Sequence, residues 1–175
     1  MCGRYIFNDG QNEYIQNLVE NAKDKFSQDI LYRKDVFPSN EALVVFGEKP
    51  SFTTMHWGLD LNKKLVINAR SETAFTSPFF ENCKPCILPA SSYYEFSKYK
   101  EPYLFYIEGK PIFLAGLCKD NHFVIMTEDA TMSQKEIHPR QPVLFDYENA
   151  KTWCMNQNTT SLLKLSIQNR SQIKV

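Results

Sequence analysis

The amino-acid sequence predicts an α+β fold dominated by short strands, with helices at its periphery. Eight short apolar or aromatic segments are separated by Gly, Pro, Asn or Lys, a pattern typical of strands joined by turns. These segments do not alternate regularly with helical ones, which argues against a doubly wound parallel sheet. We therefore expect a mostly antiparallel sheet that is closed or half-closed.

The elements follow from local spacing. Residues 11–26 carry apolar side chains three or four positions apart, which predicts an amphipathic helix on the outside of the core. Strands are predicted at residues 42–46, 51–57, 65–67, 86–88, 93–96, 103–107, 112–117 and 122–127. Short helical segments are predicted at residues 130–136, 147–156 and 161–165.

Length and composition predict one domain over residues 1–175. The chain is 43% hydrophobic, and a domain of its length buries a core without disulfides or a structural metal. No apolar run approaches the roughly 20 residues that cross a bilayer, and residues 1–9 contain no signal-peptide core. The odd count of five cysteines indicates reduced thiols. We expect a cytoplasmic monomer that does not contact a membrane.

The charge balance does not by itself predict a nucleic-acid-binding protein. The 20 basic and 20 acidic residues cancel, so any contact with nucleic acid requires a local groove. Arg4, Arg70 and Arg140 each lie beside a candidate functional residue and together would form a local anion site. The alternative is that these arginines are scattered and solvated.

Cys2 is the most informative residue of the chain. Removal of Met1 would leave an α-amine and a thiol on one residue, with ordinary pKa values of about 8 and about 8.5. Such a 1,2-aminothiol attacks acyl carbons in hydrolases, or condenses with an aldehyde through an imine to a thiazolidine. The alternative is that Cys2 is merely a small residue near the terminus.

The remaining cysteines and histidines predict neither a redox centre nor a metal site. Cys83 and Cys86 have thioredoxin-like spacing, but Cys86 leads into a strand pattern and does not open a helix. There is no second cysteine pair, and His56, His122 and His138 lack the spacing of zinc ligands. We expect no metal and no cofactor.

Three polar residues are further candidates for chemistry. His138 stands in a proline-flanked loop, and an imidazole titrates in the range useful for proton transfer. On a strand, Glu95 shares a face with Tyr93, so its carboxyl would point into a cavity where burial raises its pKa. Asn68 follows a short strand and would orient a substrate. The alternatives are a surface histidine, a solvent-facing glutamate and a loop cap.

Six short segments, taken together and in order, resemble the SOS response-associated peptidase (SRAP) family. The resemblance covers nearly the whole chain. The segments are Met1-Cys2-Gly3-Arg4, Trp57-Gly58-Leu59, Asn68-Ala69-Arg70-Ser71-Glu72-Thr73, Pro89-Ala90 with Tyr94-Glu95, Ala115-Gly116-Leu117 and Ile137-His138-Pro139-Arg140.

The resemblance implies an SRAP-like fold and a protein that captures abasic sites in single-stranded DNA. Mature Cys2 would form a thiazolidine with the ring-opened deoxyribose and so shield the lesion. Glu95 would then shuttle protons, His138 would assist ring opening, and Asn68 would orient the amino terminus or the sugar. Autocatalytic removal of Met1 would reconcile the family's peptidase name with crosslinking.

The resemblance also implies a DNA-binding surface. Arg4 and Arg70 would hold the phosphates that flank the lesion, with Arg140 in the same set. Trp57 and Pro38 would offer apolar surfaces to the bases, although a core role for Trp57 is an equal alternative.

The sequence departs from the family pattern at Ser92, Phe96 and Gln141 and at Lys84-Pro85, none of which is a proposed catalytic group. Two other functions stay open at this point. Class II glutamine amidotransferases also begin Met-Cys-Gly, so Cys2 could serve an amidohydrolase or peptidase, although no oxyanion hole is identifiable. The protein could also be a single-stranded DNA-binding module in which Cys2 is incidental.

Overall fold

The computed structural model describes residues 2–49, 51–155 and 159–175. Its helices are α1 (Glu13–Ala22), α2 (Gln28–Leu31), α3 (Met132–Ile137), α4 (Tyr147–Cys154) and α5 (Thr159–Leu162), with 3-10 turns at Pro78–Phe80 and Leu163–Leu165. Its strands are β1 (Tyr5–Ile6), β2 (Asp35–Val36), β3 (Glu41–Phe46), β4 (Ser51–Trp57), β5 (Leu59–Leu61), β6 (Lys64–Val66), β7 (Asn68–Arg70), β8 (Lys84–Ala90), β9 (Ser92–Phe96), β10 (Pro102–Tyr106), β11 (Ile112–Lys119), β12 (His122–Asp129), β13 (Arg140–Pro142), β14 (Leu144–Phe145) and β15 (Ser171–Lys174).

The larger sheet closes on itself. It runs from β12 through β4, β3 and β8 to β11, and β11 pairs back with β12. Only the contacts of β12 with β4 and with β7 are parallel; the other described pairings in this sheet are antiparallel. The predicted strand-dominated, mostly antiparallel and closed sheet is therefore confirmed.

The smaller sheet carries the amino-terminal segment. Its strands lie in the order β15-β10-β9-β1-β2 and all pair antiparallel. Tyr5 lies opposite Tyr93, and the backbone N–H of Tyr94 donates to the carbonyl of Arg4 at 2.9 Å. This pairing brings the start of the chain alongside the strand that contains Glu95.

The predicted elements match the observed ones closely, with shorter or longer ends. Helix α1 begins later than predicted because Asn12 caps it, its side chain accepting from the Ile15 N–H at 3.2 Å. Strand β4 has its predicted bounds. Local spacing did not predict the shortest elements, which are strands β1, β2, β5, β7, β13, β14 and β15, helix α2 and the turn at Pro78–Phe80. Residue 156, the predicted end of the helix now seen as α4, lies outside the described residues.

Apolar side chains fill the space inside the closed sheet and beneath α1 and α4. Trp153 of α4 is fully buried, and its indole N–H faces the carbonyls of Cys86 and Gly116 at 3.1 Å each. No helix among the described residues has the length and apolar character needed to span a bilayer.

Gly116 of β11 lies between strands β8 and β12 and packs against the thiol of Cys86. A Cβ at this position would lie 2.9 Å from both the Cys86 sulfur and the Val124 carbonyl oxygen. We expect Gly116→Ala to lower the free energy of unfolding by about 2 kcal/mol because the core must shift to admit the methyl group. Urea denaturation would measure this change.

Gly109→Ala is the matched control. No atom lies within 4 Å of a Cβ built there, so only its positive φ of 67° opposes alanine, at a cost of about 1 kcal/mol. Equal losses for the two variants would contradict the packing explanation.

Candidate functional site

Cys2 precedes β1 and is held through its backbone. Its side chain is fully buried. The Asn68 side-chain amide donates to the Cys2 carbonyl at 3.2 Å and also faces the Ile125 carbonyl at 3.4 Å. Asn68 thus links the start of the chain to β7 and β12, and it fixes the residue whose amine and thiol are the candidate nucleophiles.

Glu95 is a buried carboxyl beside Cys2. Only 2% of the residue is exposed, and burial raises the pKa of its carboxyl above the ordinary value. The residue that shares its strand face, Tyr93, is fully buried as well. A carboxyl that holds its proton at higher pH is suited to act as a general acid.

His138 follows α3 and lies near Glu95. Its Nδ1 is 3.9 Å from a Glu95 carboxylate oxygen, which is a charge contact longer than a hydrogen bond. The same nitrogen lies 3.1 Å from the Arg140 N–H and 3.0 Å from the Arg140 carbonyl, while the His138 N–H donates to the Gln134 carbonyl at 2.9 Å. These contacts hold the ring beside the Glu95 carboxyl.

The Cys2 thiol is held in its neutral form. Burial raises its pKa well above the ordinary value, and the neighbouring charge of Glu95 raises it further. The positive charge of Arg170 acts in the opposite direction. Thiolate formation at this position therefore needs a proton acceptor and a nearby cation.

Arg4 and Arg70 present different surroundings. The Arg4 Nε donates to Asp35 at 2.9 Å, and its guanidinium packs over Tyr94 at 4.0 Å and over Phe37 at 5.3 Å from the ring centres. Arg70 is exposed at the end of β7, two residues after Asn68. Arg4 is therefore a partly neutralised cation, and Arg70 is open to solvent.

Arg140, predicted as part of the DNA-binding set, pairs with carboxylates of the protein itself. Its guanidinium pairs with Glu72 at 2.7 and 2.9 Å and with Asp129 at 2.6 Å, and it donates to the Thr127 carbonyl at 2.7 Å. This pairing lowers the pKa of Glu72. Two carboxylates already neutralise the cation, so Arg140 anchors the segment that follows His138.

Trp57 lies in the core, which corrects its prediction as a base-stacking surface. The residue is fully buried, its indole stacks on Phe123 at 6.1 Å, and its N–H donates to the Ile67 carbonyl at 2.9 Å. Pro38 remains half-buried at the surface, and its neighbour Phe37 is 44% exposed. The large indole fills the closed sheet because the strands around it leave an apolar interior.

A cleft of about 440 Å³ opens onto Glu95 and His138, the candidate acid–base pair. It is lined by Glu95, Phe96, Ser97, Lys98, Ile137, His138 and Pro139. Phe96 is 44% exposed, which leaves an aromatic surface beside the buried carboxyl. The cleft gives a substrate access to Glu95 and His138 from solvent.

Two residues behind this site, Gln134 and Arg170, were missed by reasoning from the sequence. Both contact the Tyr93 hydroxyl, at 2.5 and 2.8 Å. A lone glutamine in a short helix and a lone arginine near the end of the chain belong to no motif. Only the tertiary structure brings them together.

The cysteine pair lies where the sequence predicts a strand. Cys86 is buried in β8, Cys83 is half-buried just before it, and all five cysteines are free thiols. Among the described residues, no group of three or more metal-binding side chains converges.

Comparison with known proteins identifies a family that matches this chain. The family model described as SOS response associated peptidase (SRAP) matches residues 1–174. The abasic site processing protein YoaM of Bacillus subtilis is 28% identical over 91% of this chain and 82% of its own. The abasic site processing protein YedK of Escherichia coli is 29% identical over 87% and 79%.

A solved structure shares the fold. The crystal structure of a phage-related protein from Bordetella bronchiseptica superposes with a TM-score of 0.77 and 21% identity, over 99% of this chain and 94% of that one.

Proposed function

The chain belongs to the SOS response-associated peptidase (SRAP) family, and from this premise we propose that it captures abasic sites in single-stranded DNA by a covalent crosslink. The α-amine and thiol of mature Cys2 form a thiazolidine with the ring-opened deoxyribose and shield the lesion. The observation that carries the proposal is that Asn68 holds Cys2 beside Glu95, itself 3.9 Å from His138. The protein acts as a monomer and without a cofactor.

The chemistry balances with these groups alone. His138 assists opening of the sugar ring to the aldehyde, and the neutral Cys2 amine attacks C1′ to give a carbinolamine. Glu95 donates a proton to the departing hydroxyl, so water leaves and an imine forms. The carboxylate left on Glu95 then takes the proton of the Cys2 thiol, and the resulting thiolate adds to the carbon of the protonated imine to give the neutral ring.

Ring closure explains why an aminothiol serves better than an amine. An imine at C1′ acts as an electron sink and permits β-elimination, which cleaves the strand. The thiazolidine carbon is saturated and removes that sink. A protein that shields the lesion therefore needs both groups of Cys2.

The proposal requires that Met1 be removed, because an amide nitrogen does not form an imine. Autocatalytic removal by Cys2 would release methionine at the cost of one water. The same step would account for a peptidase name in a family that crosslinks DNA.

Arg4, Arg70 and Pro38 form the DNA surface in this proposal. Arg70 contacts phosphate from its exposed position, and Arg4 contributes from its place between Tyr94 and Phe37. The exposed rings of Phe37 and Phe96 take the stacking role, since aromatic rings bind bases without regard to sequence.

Two aromatic substitutions separate DNA binding from stability. We expect Phe37→Ala to weaken binding of single-stranded DNA by about tenfold with an unchanged melting temperature, because one stacked base is lost. Trp57→Phe should lower the free energy of unfolding by about 2 kcal/mol and leave affinity within about twofold. Fluorescence anisotropy and thermal unfolding measure both, and the reverse pattern would contradict the surface assignment.

The test of function uses Met1-processed protein, with processing confirmed by mass spectrometry. It is incubated with a single-stranded oligonucleotide that contains one abasic site, or with the intact strand, and run on a denaturing gel. A shifted band with the abasic strand alone supports the proposal. Its absence would overturn it and leave an amidohydrolase or peptidase, or a non-covalent DNA-binding module.

A further inference from the structure

Arg170 is a buried arginine that lies between the last 3-10 turn and β15. Its side chain is only 2% exposed. The guanidinium donates to the Ile167 carbonyl from Nε at 2.9 Å and from Nη2 at 2.8 Å, and Nη2 also donates to the Pro142 carbonyl at 2.9 Å. These bonds fix the plane of the guanidinium and offset part of the cost of burying its charge.

The remaining guanidinium nitrogen points at the candidate site. Nη1 donates to the Tyr93 hydroxyl at 2.8 Å and lies 3.3 Å from the Gln134 side-chain oxygen. The Tyr93 hydroxyl itself donates to that oxygen at 2.5 Å. Three side chains from a strand, a helix and the chain end therefore share one buried network.

This network touches the two elements that carry Glu95 and His138. Tyr93 stands two residues before Glu95 on the same face of β9. The backbone carbonyl of Gln134, not its side chain, accepts the backbone N–H of His138 at 2.9 Å. One buried guanidinium thus contacts the strand that carries the carboxyl and the helix that ends at the imidazole.

The charge of Arg170 is only partly compensated. Its nearest carboxylate oxygen, on Glu128, lies 3.7 Å from Nη2. A positive charge favours both nucleophilic forms of Cys2, the thiolate and the neutral amine. Burial and the charge of Glu95 oppose thiolate formation, so a fixed cation whose field favours the thiolate has a chemical use.

We propose that Arg170 is a positioning residue for crosslinking, which aligns Glu95 and His138 through Tyr93 and Gln134 and supplies a fixed positive charge to Cys2. This inference rests on the proposed function. It assigns to Arg170 no contact with DNA, because its side chain is buried.

The pH dependence of crosslinking is the decisive readout. Four titratable groups act on the Cys2 thiol: its own α-amine after processing, Glu95 and Tyr93 of β9, and Tyr5 of β1. Arg170 supplies the fixed charge, and His138 faces Glu95. Removing the cation raises the pKa of both nucleophiles, so the rising limb of the pH–rate profile moves to higher pH.

The experiment measures single-turnover crosslinking from pH 5 to 9 with an abasic oligonucleotide. Arg170→Met should move the rising limb to higher pH and slow the reaction about tenfold at pH 7. Arg170→Lys restores much of the charge and should restore much of the profile. Lys174→Met, in the next strand but paired at the surface with Glu101, is the control and should leave the profile unchanged.

Other readouts distinguish this inference from a purely structural role. Affinity for intact single-stranded DNA should stay within about twofold, since no phosphate contact is lost. A lower melting temperature with an unshifted profile overturns the inference. If Arg170→Met does not fold, Tyr93→Phe removes the hydroxyl that joins Arg170 to β9 but keeps the cation, so it must slow crosslinking at pH 7 without moving the rising limb; an unchanged rate would overturn the positioning role. No crosslink with the wild type defeats the proposed function itself.

Discussion

Cys2→Ala abolishes the crosslink that survives denaturation. With Met1 removed by an added aminopeptidase and the removal confirmed by mass spectrometry, the variant keeps the α-amine of residue 2, so it still forms an imine with the abasic aldehyde, but it has no thiol to close the ring. We expect no shifted band without a reductant, and we expect strand cleavage through β-elimination in its place. Borohydride, which reduces an imine to a stable amine, should restore a covalent product.

A second cysteine variant controls for general effects of thiol loss. Cys83→Ala removes a half-buried thiol from the turn before β8 and should leave crosslinking unchanged. Affinity for intact single-stranded DNA should be the same in both variants. An undiminished crosslink in Cys2→Ala would refute thiazolidine formation, because no other residue supplies an amine and a thiol together.

Local spacing was enough to predict most of the fold. The segment 51–57 has the same bounds in the sequence pattern and in β4, because turn residues flank its apolar and β-branched run. The amphipathic pattern of α1 predicted the face that packs on the core, with Ile15, Leu18, Val19 and Ala22 buried. Such elements carry their signal within one turn or a few residues.

Local spacing in the sequence could not predict which distant segments pair with each other. Strand β1 has two residues, too few to show an alternation, yet its pairing with β9 brings Cys2 to Glu95. The parallel contacts of β12 with β4 and β7 depend on how the sheet closes. These long-range contacts determine which residues share the site.

Residue type alone misjudged Trp57 and did not reveal the partners of Arg140. Trp57 and Arg140 are the residue types that bind bases and phosphates, yet one fills the core and the other is neutralised by Glu72 and Asp129. Burial and pairing are properties of the neighbours, which a single position in the sequence does not reveal. Conversely, Arg170 belongs to no sequence motif, and only its contacts with Tyr93 and Gln134 in the folded protein indicate a role.

Glu95→Gln should slow crosslinking by about a hundredfold, the usual contribution of a general acid. Glutamine cannot deliver a proton to the departing hydroxyl or take one back during reversal. The wild-type rate should fall at high pH as Glu95 loses its proton, and that limb should be missing from the variant. Single-turnover rates between pH 5 and 9 measure both effects.

The same variant should be more stable than the wild type at alkaline pH. Burial raises the pKa of Glu95 in the folded state, so the native protein holds this proton more tightly than the unfolded chain does. The resulting stabilisation is complete below the ordinary glutamic acid pKa of about 4.3 and is lost as pH rises through the folded-state pKa. Glutamine stays neutral, so its advantage should grow as pH rises through the folded-state pKa of Glu95.

Glu101→Gln is the matched control for that prediction. Glu101 lies just before β10, partly exposed and paired with Lys174, and this pairing lowers its pKa. Its loss should therefore act in the opposite direction on stability and leave crosslinking unchanged. If Glu95→Gln were instead less stable at pH 8 and crosslinked at the wild-type rate, Glu95 would be a structural carboxyl. The expected combination, slower chemistry in a more stable protein, is the one that a buried acid retained for function produces.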